Sequence, residues 1–271
     1  MLSRKPWTRD ELILAMNLYC KLPFGQLHHG NSLIIEVARK LGRTSSSLSM
    51  KLCNLASLDP YHQARGIKGL RGASRADRAV WEEFTGDWER FGIASEEGLQ
   101  RLLGQTEGEE PVKEPARNRA AHQPAIKLPA IQPSGPTETL VTAKARLGQH
   151  FFRQSVLASY NSRCCLTGNP IPALLVASHI LPWGRHPEHR LNPRNGLCLA
   201  HTQDVAFDRG LITFDEDLRL VLSPRLREFL PNEALARNFL SYEGKQIEMP
   251  DKFLPGADFM EKHRQEVFLP G

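Results

Sequence analysis

Between Leu174 and Phe214 the chain reads LLVASHILPWGRHPEHRLNPRNGLCLAHTQDVAFDRGLITF, and few local folds accommodate that order. Leu174 to Ile180 is apolar and partly β-branched, the pattern of a buried strand. Pro182, Gly184, Pro187 and Pro193 then break any regular element, which predicts a long loop that also carries Arg185, His186, His189, Arg190 and Arg194. A second short strand is expected over Gly196 to Leu199, followed by a helix from near Thr202 that stops at Gly210. Strand, loop, strand and helix together bring four polar residues into play: His179, Asn195, Asp204 and Asp208. The last two are four apart on a helix, so both carboxylates share one face and can reach a single cation. Val205 and Phe207 are expected to hold that helix against the strands.

These residue types suit phosphodiester hydrolysis. A divalent cation held by oxygen ligands neutralises charge at phosphorus and on the leaving 3′ oxygen, while a neutral imidazole takes a proton from the attacking water. Histidine suits the base role because its unperturbed pKa of about 6.5 leaves it mostly neutral near pH 7. Two carboxylates with no thiolate beside them favour Mg²⁺, or Mn²⁺, over Zn²⁺. Asn195 suits neither role. An amide at the end of a long loop fits the task of bonding backbone and fixing where His179 points.

Cys165-Leu-Thr-Gly168, Ser178-His-Ile-Leu-Pro-Trp183, Asn195-Gly-Leu-Cys-Leu199 and Ala206-Phe-Asp-Arg-Gly-Leu211 together resemble the HNH endonuclease family, and more narrowly its restriction-endonuclease-like branch. The resemblance covers roughly residues 146 to 222. It implies a ββα-metal finger in which His179 is the general base, Asn195 the loop brace, and Asp204 and Asp208 the metal ligands. Asp204 stands where the last, name-giving His usually lies. Many members place an Asp or a second His directly before the base, as a metal ligand, where this chain has Ser178, and no paired CxxC knuckles occur here. By the same resemblance, a prokaryotic restriction or defence role is the expected setting.

Composition sets the outer bounds. The 271 residues suffice for two modest domains, and 41% hydrophobic with 24% charged residues is ordinary for a soluble chain. No eighteen-residue apolar run occurs and the start, MLSRKPWTRDEL, lacks a signal-peptide core, so the expectation is a cytoplasmic protein with no membrane partner. Five cysteines with no CxxC pair argue for reduced, mostly buried thiols rather than disulfides. The formal net charge of +5 is concentrated: Arg43, Lys51, Arg65, Lys68, Arg71, Arg75 and Arg78 face only Asp59 and Asp77 between positions 43 and 78. That density suits a surface that contacts phosphates.

The full reading is an α+β chain in three parts. Residues 1–93 form a helical, helix-turn-helix-like DNA-binding domain, 94–143 a flexible Pro-rich linker, and 144–271 the ββα-metal nuclease domain. In the first part Thr8 and Glu11 predict a capped helix start, a second helix runs from Leu33 to Leu41, and a third starts at Thr44 or Ser45. Ile35, Ala38, Gly42 and Leu48 are spaced like helix-turn-helix packing positions. Ser46, Ser47, Ser49, Lys51 and Asn54 would then lie on the exposed face of the third helix, where with Arg43 they could meet DNA. Arg185, Arg190 and Arg194 are the corresponding phosphate-contact candidates in the nuclease loop, with ordinary solvated charge as the alternative. A helix over Leu147 to Tyr160 would pack Phe151, Val156 and Leu157 under the finger, and Gly210–Phe214 with Leu218–Leu222 would form a hairpin whose Asp215-Glu-Asp217 tip is a turn. The tail beyond Pro224 carries no assigned chemistry.

Two other function classes fit the same sequence. One is a DNA-binding regulator that uses residues 43 to 78 and keeps the finger only as an inactive scaffold. The other is a mobile-element or homing nuclease, with the same chemistry and a different purpose. Double-strand cleavage would need two fingers or two nicks, so a homodimer is one route to it.

Overall fold

The first helix, α1 (Arg9–Lys21), starts on the capping box its sequence predicts: Thr8 Oγ1 accepts from the Glu11 N–H, and the Glu11 carboxylate accepts from the Thr8 N–H. The structure, a computed structural model, describes residues 5–66, 72–104 and 136–270. Leu12, Ala15, Met16 and Tyr19 on α1 are fully buried. Five more helices follow, α2 (Ser32–Lys40), α3 (Ser45–Ala56), α4 (Pro60–Ala64), α5 (Arg75–Gly86) and α6 (Trp88–Leu103); α3, α5 and α6 pack on α1, and α2 packs on α3 and α6. Asn31 caps α2, and Thr44 caps α3 by accepting from the Ser47 N–H. Gly42, at φ 67°, makes the turn between α2 and α3 in a conformation that favours glycine. The buried stripe of α2 is Ile34, Val37 and Ala38, whereas Ile35, expected to pack inward, is 47% exposed.

The stretch expected to be a linker is helical at both ends, because α6 continues to Leu103 and α7 (Pro136–Ser159) begins at Pro136. The acidic run at 107–110 and the prolines from 111 to 133 lie outside the described residues. Helix α7 packs on α1 and α6 by one side, with Phe151 against Phe84 and Trp88, and on the strands that follow by another.

The strands come in two antiparallel pairs. Leu175–His179 (β1) pairs with Gly196–Ala200 (β2), and α8 (His201–Asp208) follows directly; Ile212–Phe214 (β3) pairs with Leu220–Leu222 (β4). Gly210, at φ 67°, ends α8, and a Cβ there would lie 2.0 Å from the Val267 carbonyl oxygen. At the expected turn, Asp215 Oδ1 accepts from the N–H groups of Asp217 and Arg219. The chain then forms α9 (Pro224–Arg227), α10 (Glu233–Asn238) and α11 (Ala257–Glu266).

The tail that sequence left without a role ties the molecule together. Lys252, fully buried, donates from Nζ to the carbonyls of Tyr19, Cys20 and Leu22. In its protonated form the amine has three donors for these three acceptors at the C-terminal end of α1, and burial brings its pKa down to about 7. Phe253 packs edge-on against both Tyr19 and Trp88. One apolar core therefore runs from the N-terminal helices through α7 to the finger and tail.

Candidate active site

The site begins with the register of a hairpin. His179 is the last residue of β1 and pairs with Gly196, the first of β2. Between them the loop from 180 to 195 is closed by one side chain. The Asn195 carbonyl accepts from the Ile180 N–H at 2.9 Å, Asn195 Oδ1 accepts from the Leu181 N–H at 2.8 Å, and Nδ2 donates to the carbonyls of Leu181 at 3.4 Å and His189 at 3.2 Å. Asn195 is fully buried, so these bonds form without competition from water.

The same loop returns a backbone carbonyl to the histidine. Nε2 of His179 lies 2.9 Å from the Arg190 oxygen. A carbonyl only accepts, so Nε2 is the donor of this bond, and in the neutral ring the lone pair is on Nδ1. The Arg190 side chain anchors that carbonyl: its Nε donates to the Trp183 carbonyl at 2.9 Å, and its guanidinium lies 5.1 Å from the Trp183 ring centroid. The imidazole is stacked on Phe152, with centroids 3.8 Å apart and planes 10° from parallel, and meets Trp183 edge-on at 5.3 Å. Sequence reasoning named Phe151 as a packing residue under the finger and missed Phe152. Their adjacency on α7 carried no signal, because two neighbouring aromatics between His150 and Arg153 do not say which of them faces the finger.

Helix α8 lies across both strands of the hairpin. Asp204 in its first turn is 1% exposed, and Asp208, one turn on, is exposed. Phe207 is buried as expected, but Val205, expected to pack with it, is 43% exposed. From the tail, His263 stacks flat on Phe207, with centroids 3.8 Å apart and planes 3° from parallel. It accepts at Nδ1 from the Thr213 hydroxyl at 3.0 Å and donates from Nε2 to the Phe207 carbonyl at 3.3 Å. Burial, helped by Arg264 and opposed by the Phe207 bond, brings its pKa down to about 4.

The donor chemistry fits a hard divalent cation. Two carboxylates stand one helical turn apart, and the Ser178 hydroxyl is fully buried with no hydrogen-bond partner among the described residues. Among those residues no group of three or more His, Cys, Asp or Glu could hold a metal ion. Mg²⁺ commonly takes only one or two carboxylates, with water and substrate phosphate completing its shell, so that thin set suits it better than Zn²⁺. Thiolate ligation has no support: burial drives the Cys165 thiol well above its usual range and the Cys198 thiol up to about 12.

Residues 164–215 match the family model described as HNH endonuclease. The chain carries an HNH endonuclease domain. No curated protein matches the chain. The matched span runs from Cys164 to Asp215, so the HNH domain includes His179, Asn195, Asp204 and Asp208 together with the loop that supplies the Arg190 carbonyl. Phe152 and His263 lie outside the span, although both touch residues inside it.

Around the HNH domain the arginine candidates differ in their surroundings. Arg185 and Arg194 are exposed, with Arg194 Nε donating to the Leu254 carbonyl at 3.3 Å, while Arg190 is held against Trp183. The N-terminal candidates depart from expectation. Lys51 and Asn54, expected on an exposed face, are each 8% exposed, and Lys51 Nζ bonds both Asp77 oxygens at 2.8 and 3.0 Å. Arg43 donates to both Glu11 oxygens and lies over the Trp7 ring at 3.9 Å. Burial alone would raise the Glu11 pKa, but bonds from Arg43, the Thr8 backbone and Lys5 outweigh it and hold it at about 2. Ser46 is exposed, Ser47 is half-buried with its N–H serving the Thr44 cap, and Ser49, also half-buried, donates to the Leu27 carbonyl. Of the expected basic stretch, Arg65, Arg75 and Arg78 are exposed, and Lys68 and Arg71 lie outside the described residues. No helix among those residues is long and apolar enough to cross a membrane.

Proposed function

We propose that the protein is a divalent-metal-dependent endonuclease that hydrolyses DNA phosphodiester bonds, in a prokaryotic restriction or defence setting. The observation that supports this reading is the bond between His179 Nε2 and the Arg190 carbonyl, because a neutral ring that donates from Nε2 has Nδ1 as its basic nitrogen. In this mechanism His179 Nδ1 takes the proton of the attacking water. Asn195 touches no substrate; by closing the loop it holds the Arg190 carbonyl where His179 needs it. Asp204 and Asp208 would hold Mg²⁺ or Mn²⁺, with Ser178 contributing at most a weak hydroxyl donor. When bound, the cation supplies charge neutralisation at the phosphate and the leaving 3′ oxygen. Arg185 and Arg194 would contact the DNA backbone beside the site.

The regulator alternative draws less support, since it depends on the basic face of residues 43 to 78, and Arg43 and Lys51 there are committed to ion pairs with Glu11 and Asp77. The test is supercoiled plasmid, methylated and unmethylated, incubated with the protein in Mg²⁺, Mn²⁺ or EDTA, beside His179→Ala and Asp204→Asn. Metal-dependent nicking or linearisation lost in both variants is the expected result. Cutting by folded His179→Ala at the parent rate would overturn the mechanism, and DNA binding without turnover in any metal would favour the regulator.

A further inference from the structure

We propose that Phe152 is a positioning residue for His179, a role that rests on His179 being the general base. The hydrogen bond at Nε2 sets the direction of one ring atom, and the flat faces of the imidazole are set by what packs against them. The phenyl face 3.8 Å away and nearly parallel limits the ring on one side, and the Trp183 ring at 5.3 Å limits it on another.

The backbone reserves the place that Phe152 occupies. Directly paired residues on antiparallel strands put their side chains on the same face as neighbours, so whatever stands at position 196 would flank His179. That position is glycine. A Cβ there would lie 2.9 Å from Phe152 Cζ and 2.4 Å from Val156 Cγ2, so the cross-strand neighbour of the imidazole is a ring delivered by α7 rather than a residue of β2.

Phe152 has little freedom to leave. It is 2% exposed, and α7 is clamped between the hairpin and the N-terminal helices. The next residue back, Phe151, faces those helices, with Phe84 at 5.9 Å and Trp88 at 6.5 Å, and Gly92 of α6 leaves room for it. One helix thus seats one aromatic in the N-terminal core and its neighbour on the candidate base. Catalytic geometry is sensitive at this level, since a displacement of about 1 Å can cost about a hundredfold in rate.

The experiment compares Phe152→Leu and Phe152→Met with Phe151→Leu in single-turnover plasmid nicking with Mg²⁺, well below each melting temperature. The two Phe152 variants should lower the maximal rate at saturating DNA by about tenfold or more and leave the half-saturating DNA concentration unchanged, because Phe152 lies behind the base and not on the substrate. Phe151→Leu should lose stability comparably and keep the parent rate. Long-range ¹H–¹⁵N spectra give a readout independent of cutting: the His179 ring, identified by its loss in His179→Ala, should show the Nε2–H tautomer in the parent and an averaged pattern in either folded Phe152 variant. An unchanged tautomer pattern in those variants, or an equal rate loss in Phe151→Leu, overturns the proposal. Failure of the base assignment looks different: His179→Ala would cut like the parent while the spectra still responded to Phe152.

Discussion

Asn195 answers both backbone groups of Leu181, accepting from its N–H at Oδ1 and donating to its carbonyl from Nδ2, and the same amide reaches across the loop to the His189 carbonyl. One neutral side chain thus satisfies three backbone groups, two at the start of the loop and one in its middle. Asn195→Ala would leave the Leu181 N–H without its acceptor, and an unsatisfied buried group costs about 1–3 kcal/mol. With the His189 carbonyl also released, the expected loss of stability is about 3 kcal/mol, read as a lower urea midpoint at unchanged slope. Plasmid nicking should fall as well, because the Arg190 carbonyl lies next to the released His189. Asn195→Asp keeps the acceptor but turns a carboxylate oxygen toward two carbonyls in a buried site, so it should be no milder than Asn195→Ala.

Gly196→Ala tests the space between α7 and the hairpin. The added methyl would sit 2.4 Å from Val156 Cγ2, closer than packed carbons tolerate, and relief requires α7 or β2 to shift. Overpacking of this kind costs about 1–3 kcal/mol. The expected outcome is a lower melting temperature together with slower nicking, and a variant that melts and cuts like the parent would show that the cleft is looser than the structure has it.

The local code was legible wherever one residue type answers one backbone need. Thr8 with Glu11, Thr44, Gly42 and Gly210 are where caps and turns were expected, and the strand–loop–strand–helix order of the finger follows from its prolines and its two short apolar runs. What could not be read depends on which side of an element meets the rest of the chain. Ile35 and Val205 are apolar and exposed, whereas Lys51 is charged and buried, because Asp77, twenty-six residues on, waits for it. No local period contains that information. Phe152, Lys252 and His263 act through contacts as long as from Lys252 to Tyr19, so their roles emerge only when the tail and α7 are in place.

That burial changes what the basic N-terminal residues should do when mutated. Lys51→Ala leaves Asp77 charged and fully buried without its partner, and breaking a buried pair in this way costs about 3–5 kcal/mol. The variant should melt much earlier. Arg43→Ala should destabilise in the same sense by exposing Glu11 to burial without its main counter-charge. In folded samples at low temperature neither change should alter DNA affinity by more than about twofold, whereas a single lost phosphate contact should lower it and flatten its salt dependence by about one counter-ion. Fluorescence anisotropy with a labelled duplex across salt concentrations separates the two outcomes, and a flattened salt slope for Lys51→Ala would return that lysine to the DNA-contact surface.

His263 predicts an acid weakness beneath the site. Its folded pKa of about 4 lies below the ordinary histidine value of 6.5, chiefly because burial disfavours the charged ring. The unfolded chain therefore takes up a proton at a pH where the folded protein refuses it. The stabilisation is complete above about pH 6.5 and is lost progressively as the pH falls to about 4, amounting to about 3 kcal/mol. Glu11 titrates in a separate window, since its folded pKa is about 2 and its stabilisation is lost below the usual carboxylate value of 4.5. Because His263 stacks on Phe207 and bonds its carbonyl, the acid loss should loosen α8 and with it Asp204 and Asp208. His263→Gln keeps polar bonding capacity but does not titrate. It should be less stable than the parent at pH 7.5 yet lose less on going to pH 5, as read by urea midpoints at both values. Equal losses for the two proteins would mean that another group governs the acid response.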